Sequence, residues 1–300
     1  MRIQLTLDSN QDDDGYLRGF IKYAFMEYTF VPEAKVSVGL MPYPWAAYIY
    51  NNVWPYLMME RGFFSYWNVY STADFGASFL GSALNDHVFY QSAVFNGEGF
   101  KTPETEKHKE YVALAGVKLG NPDSVNGSLA GQYSYQSADE GVIKSVASGG
   151  GVLNIWKVKL GGEYQYATKT MHEGNFPEVD PKKYPEGFFA ALKAKEGASK
   201  LLSEDQDVHY GGYAGYLVVS LHEKLDLVGR YDFYDPNFSS KYKNDGVSMW
   251  MSGLVFKLPA GVQAGIDYRE YDFQAKNLDD DHNREMVPER VIYSHWKIPF

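Results

Sequence analysis

No cysteine occurs in the 300 residues, which removes disulfide frameworks, thiol nucleophiles and zinc-thiolate sites together. No stretch approaches the roughly 18 consecutive apolar residues that a membrane-spanning helix requires, and mean hydropathy is -0.38. Positive charge is in deficit: 28 Lys and Arg stand against 38 Asp and Glu, a net charge of -10, which argues against a nucleic-acid partner. Helical periodicity is also scarce, since almost every patterned segment alternates with period two. The acidic clusters, Asp12 to Asp14, Glu204 to Asp207 and Asp279 to Asp281, lack the spacing of a calcium loop and read as solvated loop tips. No metal site and no cofactor are expected. No secretory leader is read ahead of the first strand-like segment, Arg2 to Asp8, so a mature or processed chain is expected.

What the chain has in abundance is aromatic surface: 25 Tyr, 18 Phe and 6 Trp, 16% of all residues. It is scattered through short alternating segments rather than gathered into apolar runs. About 14 segments read as strands, near 1-8, 17-30, 34-42, 72-81, 86-96, 108-119, 126-137, 151-160, 161-169, 208-221, 224-235, 246-258, 261-273 and 287-300. Tight turns alternate with long polar connections. The tight ones are Val31 to Glu33, Ser82 to Asn85, Asn121 to Ser124, Gly161 and Gly162, His222 and Glu223, and Pro259 and Ala260. The long ones are 9-16, 43-71, 97-107, 138-150, 170-207, 236-245 and 274-286. Strict alternation of this kind is what a barrel with short turns on one side of a membrane and long loops on the other requires.

The pattern within strands agrees. Ile3, Leu5 and Leu7 oppose Arg2, Gln4, Thr6 and Asp8; Leu225, Leu227, Tyr231 and Phe233 oppose Asp226, Arg230 and Asp232; Ile292 and Trp296 oppose Tyr293, His295 and Lys297. One face suits lipid and the other water. Lys22 and Glu27 have opposite parity, so the second strand is expected to carry a bulge or to end one of them at a rim. Residues 1-300 are therefore expected to form a single domain, an all-β transmembrane antiparallel up-and-down barrel. About 14 closed strands are expected, with 16 or 12 as alternatives.

Trp296-Lys297-Ile298-Pro299-Phe300 ends the chain on an aromatic after an alternating strand. It resembles the C-terminal signal of Gram-negative outer-membrane proteins, which makes Phe300 the candidate assembly residue. The runs Lys22 to Tyr28, Val38 to Trp45, Ser71 to Gly76 and Ala93 to Phe100 resemble the phosphate-selective-porin-like group of general porins, most clearly over residues 1-120. The resemblance implies a passive diffusion channel of the bacterial outer membrane, with lipopolysaccharide, barrel-assembly machinery and a homotrimer as partners. It also implies an early loop folded into the lumen. Loop 43-71 is the candidate, with Asn52, Trp54, Glu60 and Arg61 at the constriction and a transverse field set by Glu60 and Arg61.

Charges whose parity opposes the apolar face define a candidate lumen. The basic members are Arg2, Lys22, Lys35, Lys118, Lys157, Lys159, Arg230, Lys257, Arg269 and Lys297; the acidic members are Asp8, Asp74, Glu110, Glu163, Asp226, Asp232 and Asp267. The basic excess implies a weak anion preference, although cross-strand pairing would mute it. No line of repeated Arg or Lys supports phosphate specificity. Residues 186-202 could form a short helix at the mouth. A barrel enzyme needs a His beside a nucleophile or an acid, and the nearest cluster is His209 with Asp207 and Ser203; no catalytic residue is assigned. Gly149 to Gly151 read as a loop. The rival to a pore is a barrel that sheathes a partner protein or catalyses a reaction.

Overall fold

In a computed structural model the described residues are 1-11, 17-100, 108-121, 125-137, 143-171, 206-236, 238, 246-273 and 288-297. They build one sheet of 14 antiparallel strands whose spatial order is the sequence order. The strands are β1 (Arg2–Gln11), β2 (Leu17–Val31), β3 (Ala34–Pro42), β4 (Ala73–Ala83), β5 (Val88–Phe95), β6 (Glu110–Gly120) and β7 (Val125–Ser137). They continue with β8 (Ile143–Ile155), β9 (Val158–Met171), β10 (Gln206–His222), β11 (Leu225–Asp235), β12 (Val247–Lys257), β13 (Gln263–Phe273) and β14 (Glu289–Lys297). Short turns and longer connections alternate in part as the sequence predicts, but the expected long connections 9-16 and 138-150 shrink to 12-16 and 138-142, no longer than the 258-262 turn, because β1 and β8 extend further than their apolar patterns suggest.

The period-two pattern separates the two faces. On β6, Val112 and Leu114 are buried while Tyr111, Val117 and Leu119 are exposed; on β11, Asp226, Val228, Arg230 and Asp232 are buried while Leu227 is exposed. The apolar face is therefore the outer one. It carries Tyr111, Tyr133, Tyr135, Tyr164, Tyr166, Tyr213 and Trp250 toward the long-loop end, and Tyr28, Phe30, Phe79, Trp156, Phe256 and Trp296 toward the turn end. Two aromatic bands with Leu, Val and Ile between them match the interfacial girdles of a bilayer-spanning barrel. Tyr231 and Trp250 show the cross-strand packing, directly paired with ring centroids 4.3 Å apart.

The parity conflict in β2 resolves as a bulge: Thr6 pairs with Tyr23 and Leu7 with Ile21, so Lys22 is the extra residue. Four expectations are corrected. The β8–β9 turn is at Trp156 and Lys157, with Trp156 at φ 52°, and not at Gly161 and Gly162. Those glycines lie inside β9, and Gly149 to Gly151 lie inside β8, with Gly151 paired to Gly162. Glycine is read from sequence as a turn former, but here its missing side chain admits what packs against the wall. Lys157 consequently sits in the turn, over the Trp156 ring at 5.1 Å, and leaves the lumen set. Finally, among the described residues β1 pairs only with β2 and β14 only with β13, so the sheet is not closed along that seam. Unstaggered pairing there would put Arg2 beside Lys297, and opposed like charges are unfavourable.

Candidate functional site: the loop seated in the lumen

The connection from Tyr43 to Thr72 contains α1 (Pro44–Tyr48), a π-helical turn (Ile49–Val53) and α2 (Phe63–Tyr66). Proline at the first position favours helix entry at α1. The apolar side chains of this segment have no lipid to face. Trp45, Ile49, Val53, Trp54, Phe63 and Phe64 are completely buried, packed with inward residues Phe95, Val146, Met249 and Val255. Trp67 stacks on Tyr234 at 5.0 Å, Trp54 on Tyr216 at 5.1 Å, and Phe64 on Tyr70 at 4.9 Å. Each such ring contributes about 1.5–3 kcal/mol by burial. The loop therefore folds into the barrel, as the resemblance implies, and does so as a second core.

Polar side chains of the wall hold it in place. Glu163 accepts from the Trp45 indole (2.9 Å), the Phe63 amide (2.8 Å), the Gln165 amide (3.0 Å) and the Tyr216 hydroxyl. Glu110 accepts from the Tyr43 hydroxyl at 2.6 Å, and Asp232 from the Trp67 indole at 2.9 Å. Asp226 accepts from the Tyr56 hydroxyl and from Lys257 Nζ at 2.8 Å. Two arginines complete the set. Arg230 grips Asp232 with Nε at 2.7 Å and Nη2 at 2.6 Å and donates to the Arg61 carbonyl. Arg269 pairs with Asp267 at 2.6 Å and with Glu60, and donates to the Met59 carbonyl at 2.7 Å. His295 Nε2 meets the other Asp267 oxygen at 2.6 Å. Burial pushes the Tyr43 and Tyr70 phenols well above their ordinary pKa, so both stay protonated.

The wall also makes room. A Cβ on Gly161 would lie 2.6 Å from Val53 Cγ1, and one on Gly150 3.2 Å from the Trp45 ring; a Cβ on outward Gly149 would meet nothing within 4 Å. Gly161→Ala is expected to destabilise the protein by about 1–3 kcal/mol through overpacking against the loop. Gly149→Ala, a change outside any contact, is expected to stay within about 0.5 kcal/mol. Equilibrium unfolding in urea from detergent micelles compares the two.

These contacts redistribute the candidate site residues. The acidic lumen residues Asp74, Glu110, Glu163, Asp226, Asp232 and Asp267 are at most 3% exposed, so they bind the loop or nearby backbone rather than lining water. Asp74, for example, accepts from the Phe75 and Gly97 amides, each at 2.7 Å. Arg230 and Arg269 are buried likewise. Of the constriction set, Trp54 is sealed in the core and donates to the Glu60 carbonyl at 2.7 Å, and the Glu60 carboxylate is taken up by Arg269. Asn52 and Arg61 stay exposed. The anticipated field between Glu60 and Arg61 is thus corrected: Glu60 is neutralised by an ion pair, which leaves Arg61. Arg2, Lys35, Lys118, Lys159, Lys257 and Lys297 sit on the inner face, at least partly exposed. The side chains of Asp8 and Asp207, and all of Ser203, residues 186-202 and Phe300, lie outside the described residues. His209 takes hydrogen bonds with Tyr166 (2.9 Å) and Thr168 (3.1 Å). Among the described residues no group of three or more His, Asp and Glu could hold a metal ion.

The sequence reading named the wall acids but not their partners Tyr43, Tyr56 and Phe63, nor the permissive glycines. The available signal was an excess of indole and phenol donors in a loop whose opposing wall carries inward carboxylates.

Fold and site together define a β-barrel of the outer-membrane type with an inserted loop. Among solved structures, the chain is similar to OmpT of Vibrio cholerae in its in-vitro folded trimer form, with a TM-score of 0.58, 11% identity, and 98% of this chain aligned to 86% of that one. It is similar to an anion-selective porin from Comamonas acidovorans, with a TM-score of 0.55, 10% identity, and 91% of this chain aligned to 90% of that one. Likeness at such identity shows the shared fold alone. No protein-family model matches the sequence, and no curated protein does.

Proposed function

We propose that this protein is a general porin of the bacterial outer membrane, a passive diffusion channel for small hydrophilic solutes with a weak anion preference, and not an enzyme. The observation that carries this reading is the loop 43-72 itself. A segment bound to β6, β9, β11 and β13 narrows the lumen without joining the sheet. Exposed Asn51, Asn52, Pro55, Leu57 and Arg61 form the loop's water-facing side. A barrel this wide holds an aqueous passage rather than a core filled from its walls. The anion preference follows from which charges remain available: wall acids are buried and bonded, while several wall lysines face water. The solved anion-selective porin of the same fold supports that direction. An inward loop disfavours a sheath around a partner protein, since the partner would need that space. Assembly into homotrimers, insertion by the barrel-assembly machinery and contact with lipopolysaccharide belong to the same proposal.

Liposome swelling tests it. Vesicles carrying the refolded protein are expected to swell rapidly in arabinose or glucose and far more slowly in raffinose, because the loop sets a size limit. Folded protein that admits no monosaccharide would overturn the pore reading.

A further inference from the structure

Where the inserted loop packs on the wall, inward residues are sealed: Val112, Val146, Ala167, Val228 and Met249 are buried in its core. On β1 and β2 the inner face is different. Gln4 and Thr6 on β1, and Phe20, Tyr23 and Phe25 on β2, are only half-buried. Strand register fixes their order, with Gln4 paired to Phe25, Thr6 to Tyr23 and Asp8 to Phe20. Three rings therefore follow one another along the inside of β2, with a polar line beside them on β1. That polar line is itself joined, since Arg2 Nη2 donates to Gln4 Oε1 at 2.7 Å and Gln4 Nε2 to Thr6 Oγ1 at 3.3 Å.

The bulge at Lys22 makes this arrangement. An unbroken two-residue period running on from Phe25 and Tyr23 would turn Ile21 inward and Phe20 toward lipid. The extra residue reverses that parity, so Ile21 is outward and 48% exposed while Phe20 joins the other two rings inside. Bulges re-aim side chains in this way next to functional sites. Phe20 is held by Phe100, with ring centroids 5.7 Å apart, and Phe25 by the edge of the loop's core.

We propose that the inner faces of β1 and β2 form a sugar-binding track for neutral oligosaccharides built of pyranose units. The inference rests on the pore reading and names a class of solute for it. A pyranose ring has an apolar face of C–H groups and a rim of hydroxyls. The face stacks on the negative π surface of Phe25, Tyr23 or Phe20. The rim exchanges hydrogen bonds with Gln4 and Thr6, each of which offers both a donor and an acceptor. Apolar surface with a few placed polar groups is the usual composition of a small-molecule site. Phe25 and Tyr23 stand about 7 Å apart along the strand, so one oligosaccharide spans successive platforms. Each further ring it meets adds to its binding. An acyclic polyol has the hydroxyls but no flat face to stack.

The test uses the full chain in planar bilayers, with maltotriose and cellotriose as pyranose probes and sorbitol as the acyclic control. Trisaccharide interrupts the wild-type current as its concentration rises, and sorbitol does not. Tyr23→Ala raises the half-blocking concentration about tenfold, the loss of one stacking platform, whereas Tyr23→Phe keeps the ring and stays within about twofold. Gln4→Ala/Thr6→Val leaves every ring in place and raises it about fivefold or more through lost hydrogen bonds. That variant carries the test if circular dichroism shows Tyr23→Ala to be misfolded. Block by sorbitol equal to that by the trisaccharides, or equal block of the wild type and the folded variants, overturns the track. Titration calorimetry of maltotriose into protein held in a detergent without a sugar headgroup reads binding apart from conduction. Binding that weakens in the variants, with no conduction by the wild type, keeps the track and removes the pore. Conduction with neither block nor binding heat keeps the pore and removes the track.

Discussion

Asp232→Ala is expected to loosen the inserted loop and cost about 3–5 kcal/mol of stability, the usual effect of removing one partner from a buried ion pair. Both members of the Arg230–Asp232 pair are inaccessible, with side-chain exposures of 0%. The substitution strands the guanidinium in the barrel and deprives the Trp67 indole of its acceptor. Trp67 caps the C-terminal end of α2 and stacks on Tyr234, so its release is expected to loosen that end of α2 from the wall. Unfolding in urea reports the stability loss, and single-channel recording reports larger, noisier openings. The double change Arg230→Met/Asp232→Leu removes both charges and keeps the volume, and it is expected to recover most of the stability, since apolar replacement of a buried pair is close to neutral. Wild-type stability in the single Asp232→Ala variant would contradict the anchoring role.

Leu129→Arg is expected to impair folding into bilayers by about 2–4 kcal/mol, the cost of a cation on the lipid face near the midplane. Leu129 is outward and 56% exposed, between Val117 on β6 and Gly151 on β8. Tyr135→Arg lies on the same strand and face within the loop-side aromatic band, and it is expected to cost about 0–1 kcal/mol because its head reaches the interface. Folding into phosphatidylcholine vesicles from urea measures the pair. Equal penalties would contradict the assigned membrane depth, and no penalty at Leu129 would contradict a lipid-facing outer surface.

The strands were legible because a wall wet on one face imposes a two-residue period on every segment that crosses it. Arg230 and Asp232 against Tyr231 and Phe233 show that period as plainly in the sequence as in the structure. The bulge at Lys22 was legible for the same reason, as a break in the period. Gly149 to Gly151 and Gly161 and Gly162 misled, since a glycine that makes space for Trp45 or Val53 has the same spelling as one that turns the chain. Hydrogen bonds such as Trp45 to Glu163 join residues far apart in the chain, on an aperiodic loop and a periodic strand. Nothing local couples those two, and only the folded wall shows that the lumen acids hold the loop.

Single-channel conductance of the full chain beside a form in which residues 45-70 are replaced by a short Gly-Ser linker tests the central claim most directly. A pore narrowed by its seated loop predicts discrete openings in the full chain and openings several-fold larger, by relief of the constriction, in the shortened one. Equal conductance in both would contradict the constriction, and silence in both, with the barrel folded, would contradict the pore.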